Sequence, residues 1–143
     1  MSSTLWKFVL FGTIGVTGEV FFTALIDLFK TRRLRLYGFS FIWMFPIYGL
    51  LAFFFEPVHA RIVHQSWILR GLIYMVGIYG VEFLTGTILT SLTGAPIWQY
   101  TDRLNFRGQI TGLYAPVWFT VGLLVEKYEP WIARISRVLT EMR

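Results

Sequence analysis

The chain contains no cysteine, which excludes disulfides, thiolate metal sites and cysteine nucleophiles and says nothing of the redox compartment. Charge is scarce as well. Only 15% of its 143 residues are Asp, Glu, Lys or Arg, against about 25% in an average soluble domain. A water-soluble fold of this size could not cover its surface with so few polar groups, so lipid is expected to act as solvent for much of it. No glycine-rich phosphate loop, Ser-His-Asp order or HExxH stretch is present, which removes ordinary soluble hydrolase and NTPase chemistry. The first apolar run holds an acidic residue and has no small-residue cleavage pattern after it, so it is expected to be a retained helix.

What the chain does have is apolar bulk: 55% hydrophobic and 19% aromatic residues. A bilayer core needs about 20 consecutive apolar residues in a helix. Four stretches qualify, at about 5–29, 39–55, 68–92 and 109–128. The expected fold class is therefore all-α: a polytopic membrane helix bundle of about four transmembrane helices, forming a single domain over 1–143. Phe53, Phe54 and Phe55 are read as lipid-facing or interfacial bulk. The net charge of +5 arises from basic residues between the apolar runs, where they meet lipid headgroups. Membrane lipids are the expected partner and nucleic acid is not. After Pro130, the apolar residues Trp131, Ile132, Ile135, Val138, Leu139 and Met142 recur at helical spacing among Arg134, Arg137, Glu141 and Arg143. That pattern predicts an amphipathic surface helix over 130–143, or else a helix packed on its own bundle or a partner subunit.

The sequence also looks duplicated. Leu34-Arg35-Leu36-Tyr37-Gly38 stands ahead of Pro46 as Leu104-Asn105-Phe106-Arg107-Gly108 stands ahead of Pro116, an offset of 70 residues, whereas Glu19 and Glu82 are 63 apart. The two halves are then related by a two-fold internal repeat with a seven-residue insertion near the third loop, and helices one and three run parallel. Orientation is undecided by the positive-inside rule. Loops one and three carry six Lys or Arg, and the opposite side carries seven.

A charge at the bilayer centre costs about 2.5–3.5 kcal/mol on insertion scales. Glu19 and Glu82 nevertheless stand near the middle of their helices. Gly12, Gly15 and Thr23 share a side with Glu19, and Tyr79, Thr85 and Gly86 lie around Glu82. Small residues allow close helix approach and Thr hydroxyls can satisfy a carboxylate. Two carboxylates facing one polar cavity could hold a cation, relay a proton or share one; the alternative is that both are protonated and act as hydrogen-bonded packing glue. Asp27 is expected to pair with Lys30 or Arg33. His59 and His64, with Glu56 nearby, have the wrong spacing for a helical metal pair and are read as a wet, non-catalytic couple. No metal and no cofactor are expected, and no catalytic residue is assigned. The polar, aromatic segment from Pro96 to Gly108 is expected to fold back and cap the cavity.

Taken together, Gly15 with Glu19, Gly38-Phe39, Pro46-Ile47-Tyr48-Gly49, Glu82 with Thr85, Trp98-Gln99-Tyr100 and Asn105-Phe106-Arg107-Gly108-Gln109-Ile110 resemble a known pattern. It is that of the small membrane proteins called ABC-transporter type IV, or CmpB-like, and it covers about Gly12 to Trp118. The chain departs from it where Tyr37, Thr90, Gln99 and Gln109 replace charged residues. The resemblance implies transport in a multi-pass protein of a bacterial inner membrane, with any ATPase a separate subunit. The leading expectation is a transport or permeation component for a cation, a proton-coupled solute or an amphipathic molecule. Its cavity would be lined by Glu19, Glu82, Tyr48, Trp98, Tyr100, Asn105 and Arg107, and its pathway completed in a homo-oligomer or with a partner membrane subunit. The rivals are an intramembrane enzyme acting on a lipid or isoprenoid, and an accessory subunit of a larger complex.

Overall fold

In the computed structural model, which describes residues 2–142, helix dominates. Along the chain come α1 (Ser3–Thr31), α2 (Met44–Gly49), α3 (Leu51–Ile62) and α4 (Trp67–Thr93). A hairpin of β1 (Asn105–Phe106) and β2 (Ile110–Thr111) comes next, then a 3-10 turn (Gly112–Tyr114) and α5 (Ala115–Glu141). The two long apolar helices have legible ends. Ser2 and Ser66 each accept from the backbone N–H three residues on, at 3.3 Å, satisfying one of the orphan donors of a helix start. At the other ends, Arg32 at φ 57° and Gly94 at φ 74° take the left-handed conformation that closes a helix. α1 and α4 are long and apolar enough to cross a membrane. At 1.5 Å per residue they reach about 44 and about 40 Å. Phe21, Phe29 and Leu92 on these helices are 69%, 72% and 77% exposed, as suits a lipid solvent.

The second predicted span differs at both ends. Its helix starts at Met44 because Thr23 on α1 captures the backbone before it. The Phe39 N–H donates to the Thr23 hydroxyl at 2.9 Å, and that hydroxyl lies 2.9 Å from the Phe39 carbonyl. Residues so held cannot join a helix. Pro46 then sits in the first turn of α2, where no N–H is needed. Leu50, at φ −59° and ψ −22°, carries the helical course on into α3, which continues through Pro57 to Ile62 and takes up a stretch expected to be an interfacial connection. Within the aromatic run, Phe53 and Phe54 are exposed but Phe55 is buried, a correction to the reading of all three as lipid-facing or interfacial bulk.

The last helix starts six residues later than expected, after the hairpin and the 3-10 turn, and it is not interrupted at Pro130. An internal proline removes its own bond to the carbonyl four residues back and crowds that carbonyl, but here the helix continues on both sides of it. The tail is thus the end of α5, not a separate surface helix. Ile132 and Ser136 on it are buried, and the Ser136 hydroxyl lies 3.0 Å from that of Ser3. Arg143 lies outside the described residues.

The chain divides into two compact units. Unit one runs through Val58 and resumes at Pro130; unit two is His59–Glu129. In unit one, aromatic side chains of one helix fill the places left by glycines of another. A Cβ on Gly12 would stand 2.8 Å from the Phe45 carbonyl oxygen, the Tyr48 ring covers Gly15, and Phe8 covers Gly49. In unit two, Phe119 lies over Gly71 and Tyr74 over Gly122. Lipid supplies no hydrophobic drive between helices, so close packing of this kind has to hold them.

These contacts separate two classes of glycine. A Cβ on Gly38 would run into the Val20 backbone, whereas Gly18 and Gly77 face open space. Gly38→Ala is expected to destabilise the protein by about 1–3 kcal/mol. Gly18→Ala and Gly77→Ala, inside helices, should leave stability unchanged or raise it by up to about 1 kcal/mol. Thermal unfolding of the detergent-purified variants checks the contrast.

Candidate functional site

Glu19 is half-buried on α1, and both its donors come from the segment that returns to that helix. The Ser40 hydroxyl donates to Oε2 at 2.8 Å and the Tyr48 hydroxyl to the same oxygen at 3.1 Å. Their positions are fixed by local structure. Ser40 adjoins Phe39, which Thr23 anchors one turn beyond Glu19, and Tyr48 reaches the carboxylate because Gly15, one turn before it, has no side chain to keep the ring away. The Ser40 hydroxyl has a second acceptor in the Phe41 carbonyl at 3.4 Å.

Glu82, on α4, is 8% exposed. Tyr100 donates its hydroxyl to Oε1 at 2.7 Å, and the Trp118 indole N–H donates to Oε2 at 3.2 Å. Tyr114 stands between these donors, its ring 5.4 Å from that of Tyr100 and 5.9 Å from that of Trp118, both edge-on. The hairpin before α5 sets the position of Tyr100, whose N–H donates to the Gly108 carbonyl at 2.8 Å. Trp98 covers Gly86 and donates its indole N–H to the Gln109 carbonyl at 3.0 Å. Gln109 in turn donates to the Thr90 hydroxyl at 3.5 Å, so two of the positions where the chain lacks a charge meet each other.

Of the residues singled out in the sequence, the structure brings Tyr48 to Glu19 in unit one and Tyr100 to Glu82 in unit two. Each carboxylate has donors drawn from its own unit. Asn105 and Arg107 serve the turn. Asn105 Oδ1 accepts from the Gly108 N–H at 3.0 Å and its Nδ2 donates to the Asp102 carbonyl, while Arg107, at φ 52°, places its guanidinium over Phe106. Asp102 closes the same turn, accepting from Leu104 N–H at 2.9 Å and from the Thr111 hydroxyl at 2.7 Å. Asp27 accepts from the Tyr37 N–H at 3.2 Å, in place of the expected ion pair, because the loop after Arg32 doubles back at Leu36, φ 50°.

Sequence reasoning passed over Ser40 and Trp118, although Trp118 lies 70 residues after Tyr48, the repeat offset already in view. It also passed over a polar cluster in unit two. Arg70 grips Glu126 with two N–H groups, Nε to Oε2 at 2.9 Å and Nη2 to Oε1 at 2.8 Å. Tyr74 donates to Glu126 Oε2 at 3.0 Å and meets His59 Nδ1 at 2.6 Å. Arg70 Nη1 also donates to the Gln65 carbonyl at 2.7 Å, tying down the turn before α4. The signal was available: Arg70 and Glu126 are opposite charges near the ends of predicted spans. In unit one, Lys7 and Glu56 form an ion pair. Among the described residues no group of three or more His, Asp or Glu could hold a metal ion.

Long apolar helices with polar groups met from within the chain define an α-helical membrane protein. The chain belongs to the family described as Putative ABC-transporter type IV, whose profile matches residues 6–142. No solved structure matches it.

The two ion pairs differ in exposure. Glu56 is 53% exposed, against 18% for Glu126. Arg70→Gln is therefore expected to lower the melting temperature more than Lys7→Gln, because a forked pair with a shielded carboxylate is lost in the first case and a single contact to a solvated carboxylate in the second. Trp118→Phe removes one of the two donors to Glu82 together with some ring bulk and should cost about 1–3 kcal/mol. Thermal unfolding in detergent measures all three.

Proposed function

We propose that the protein is a four-span component of a transport system in a bacterial inner membrane. Glu19 and Glu82 are its stations for a cation, a proton-coupled solute or an amphipathic molecule. The observation that carries this reading is that two carboxylates inside long apolar helices are each met by hydroxyl or indole donors. Such groups are expensive in a bilayer and face a polar interior when they persist. The family description supports transport, and the chain has no phosphate loop of its own, so any ATPase would be a separate subunit. α2 with α3 covers 44–62, about 28 Å of helix, close to the thickness of a bilayer core. α5 supplies the fourth span. Four helices are few to enclose a pathway, so the working form is an oligomer or includes a partner membrane subunit.

The two-fold repeat belongs to the same proposal, and its support is a set of contacts that recur at two offsets, 63 for the first helix of each half and 70 for the remainder of the half. Lys7 with Glu56 corresponds to Arg70 with Glu126, and Glu19 with Tyr48 to Glu82 with Trp118. Thr23 with Phe39 corresponds to Gly86 with Gln109. Phe8 over Gly49 corresponds to Gly71 under Phe119, with ring and glycine exchanged. Transporters built from parallel repeats place their sites at corresponding positions of the two halves.

Flux of monovalent cations or protons into proteoliposomes tests the stations. Replacing Glu19 and Glu82 together by Gln should reduce flux to that of protein-free vesicles; unchanged flux sinks the mechanism. Because the chain lacks cysteine, single cysteines report topology without a background thiol. Arg33→Cys and Arg103→Cys should react with an impermeant maleimide from one side of a sealed vesicle, and Gln65→Cys and Arg137→Cys from the other.

A further inference from the structure

We infer that the two carboxylates have different roles. Glu19 is the group that takes up and releases a proton, Glu82 is a fixed brace, and the aromatic residue at the corresponding position of each half, Tyr48 or Trp118, sets the difference. The inference rests on the transport reading above and deepens it by assigning the exchangeable proton to one site.

Both donors to Glu19 converge on Oε2, and Oε1 accepts no hydrogen bond among the described residues. A proton arriving on Oε1 therefore displaces neither donor. The Ser40 hydroxyl has the Phe41 carbonyl as a second acceptor, and a hydroxyl can reverse between donating and accepting by rotating its hydrogen. Every group bonded to this carboxyl tolerates both protonation states. At Glu82 each oxygen is taken, Oε1 by Tyr100 and Oε2 by Trp118. An indole N–H only donates and cannot turn over, so a proton on Oε2 weakens that bond and a proton on Oε1 requires Tyr100 to turn from donor to acceptor, whereas a proton on Glu19 Oε1 disturbs no bond. Glu82 is also more deeply buried than Glu19. The groups bonded to Glu19 are Ser40 and Tyr48, with Thr23 one turn on, and none carries a formal charge, so protonation there is set by solvent and by the transported species.

Two readouts test this on the full chain in lipid. The first is infrared difference spectroscopy across a pH step, which detects the C=O stretch of a carboxylic acid. A band from a shielded carboxyl should appear in the native protein, persist in Glu82→Gln and vanish in Glu19→Gln. Loss in Glu82→Gln with persistence in Glu19→Gln overturns the inference.

The second is labelling with an apolar carbodiimide. The acid proton passes to a carbodiimide nitrogen as the carboxyl oxygen bonds the central carbon, so the label adds the whole reagent with nothing leaving. Mass spectrometry should find label on Glu19 about tenfold or more above Glu82, the scale of one buried hydrogen bond to a charged group. Trp118→Tyr exchanges indole for the phenol that Tyr48 supplies to Glu19 and should raise label on Glu82 towards that on Glu19; an unchanged Glu82 refutes the role given to Trp118. Should Trp118→Tyr not fold, equal labelling of the two carboxyls in the native protein overturns the inference by itself. Both readouts are independent of flux. Glu19 exchange without flux counts against the transport reading alone, and flux with equal labelling counts against this inference alone.

Discussion

A carboxylate in the middle of an apolar helix has to be met by donors brought to it from elsewhere in the chain, since lipid offers none. Much of the irregular structure answers that demand. Between α1 and α2, Thr23 holds Phe39 in an extended course, which sets Ser40 beside Glu19 and delays the next helix until Met44. Between α4 and α5, the hairpin of Asn105–Thr111 holds Tyr100 by its backbone and turns the chain into the helix that carries Trp118. The connections are therefore the second wall of each carboxylate site, and the glycines opposite them supply the room. Gly15 admits Tyr48, and Gly86 admits Trp98 and Gln109.

Donor chemistry then distinguishes two sites that look alike in outline. Hydroxyls are reversible partners and indoles are not. The donors around Glu19 are both hydroxyls on one oxygen, whereas Glu82 has a hydroxyl on one oxygen and an indole on the other. The Arg70–Glu126–Tyr74–His59 cluster does a different task. It satisfies charge near the start of α4 and ties the preceding turn to α5, so polar residues within apolar helices here also brace the packing.

Much of the fold was legible because it depends on local pattern. α1 and α4 could be read from apolar length, and both lie within two residues of the expected bounds. The second and fourth helices were misjudged at their starts because tertiary hydrogen bonds, Thr23 to Phe39 and Tyr79 to the Thr111 carbonyl at 2.7 Å, hold apolar residues out of helix. Pro130 was over-read. A proline interrupts a helix where nothing else holds it, and Ile132 and Ser136 are held by packing. Of the expected site residues, Tyr48 and Tyr100 reach a carboxylate, while Asn105 proved to be a turn residue, whose role depends on which backbone groups come within reach of its amide.

From its sequence alone this protein was bound to be helical and to have lipid as its solvent, because composition and the length of apolar runs decide those properties additively, residue by residue. The sequence also marked Glu19 and Glu82, since a charge in such a run is anomalous wherever the chain goes. Which groups answer each charge was settled only by tertiary structure. Ser40 and Trp118 lie 21 and 36 residues from the carboxylates they serve. A hydrogen bond depends on distance and direction in space, which spacing along the chain does not encode.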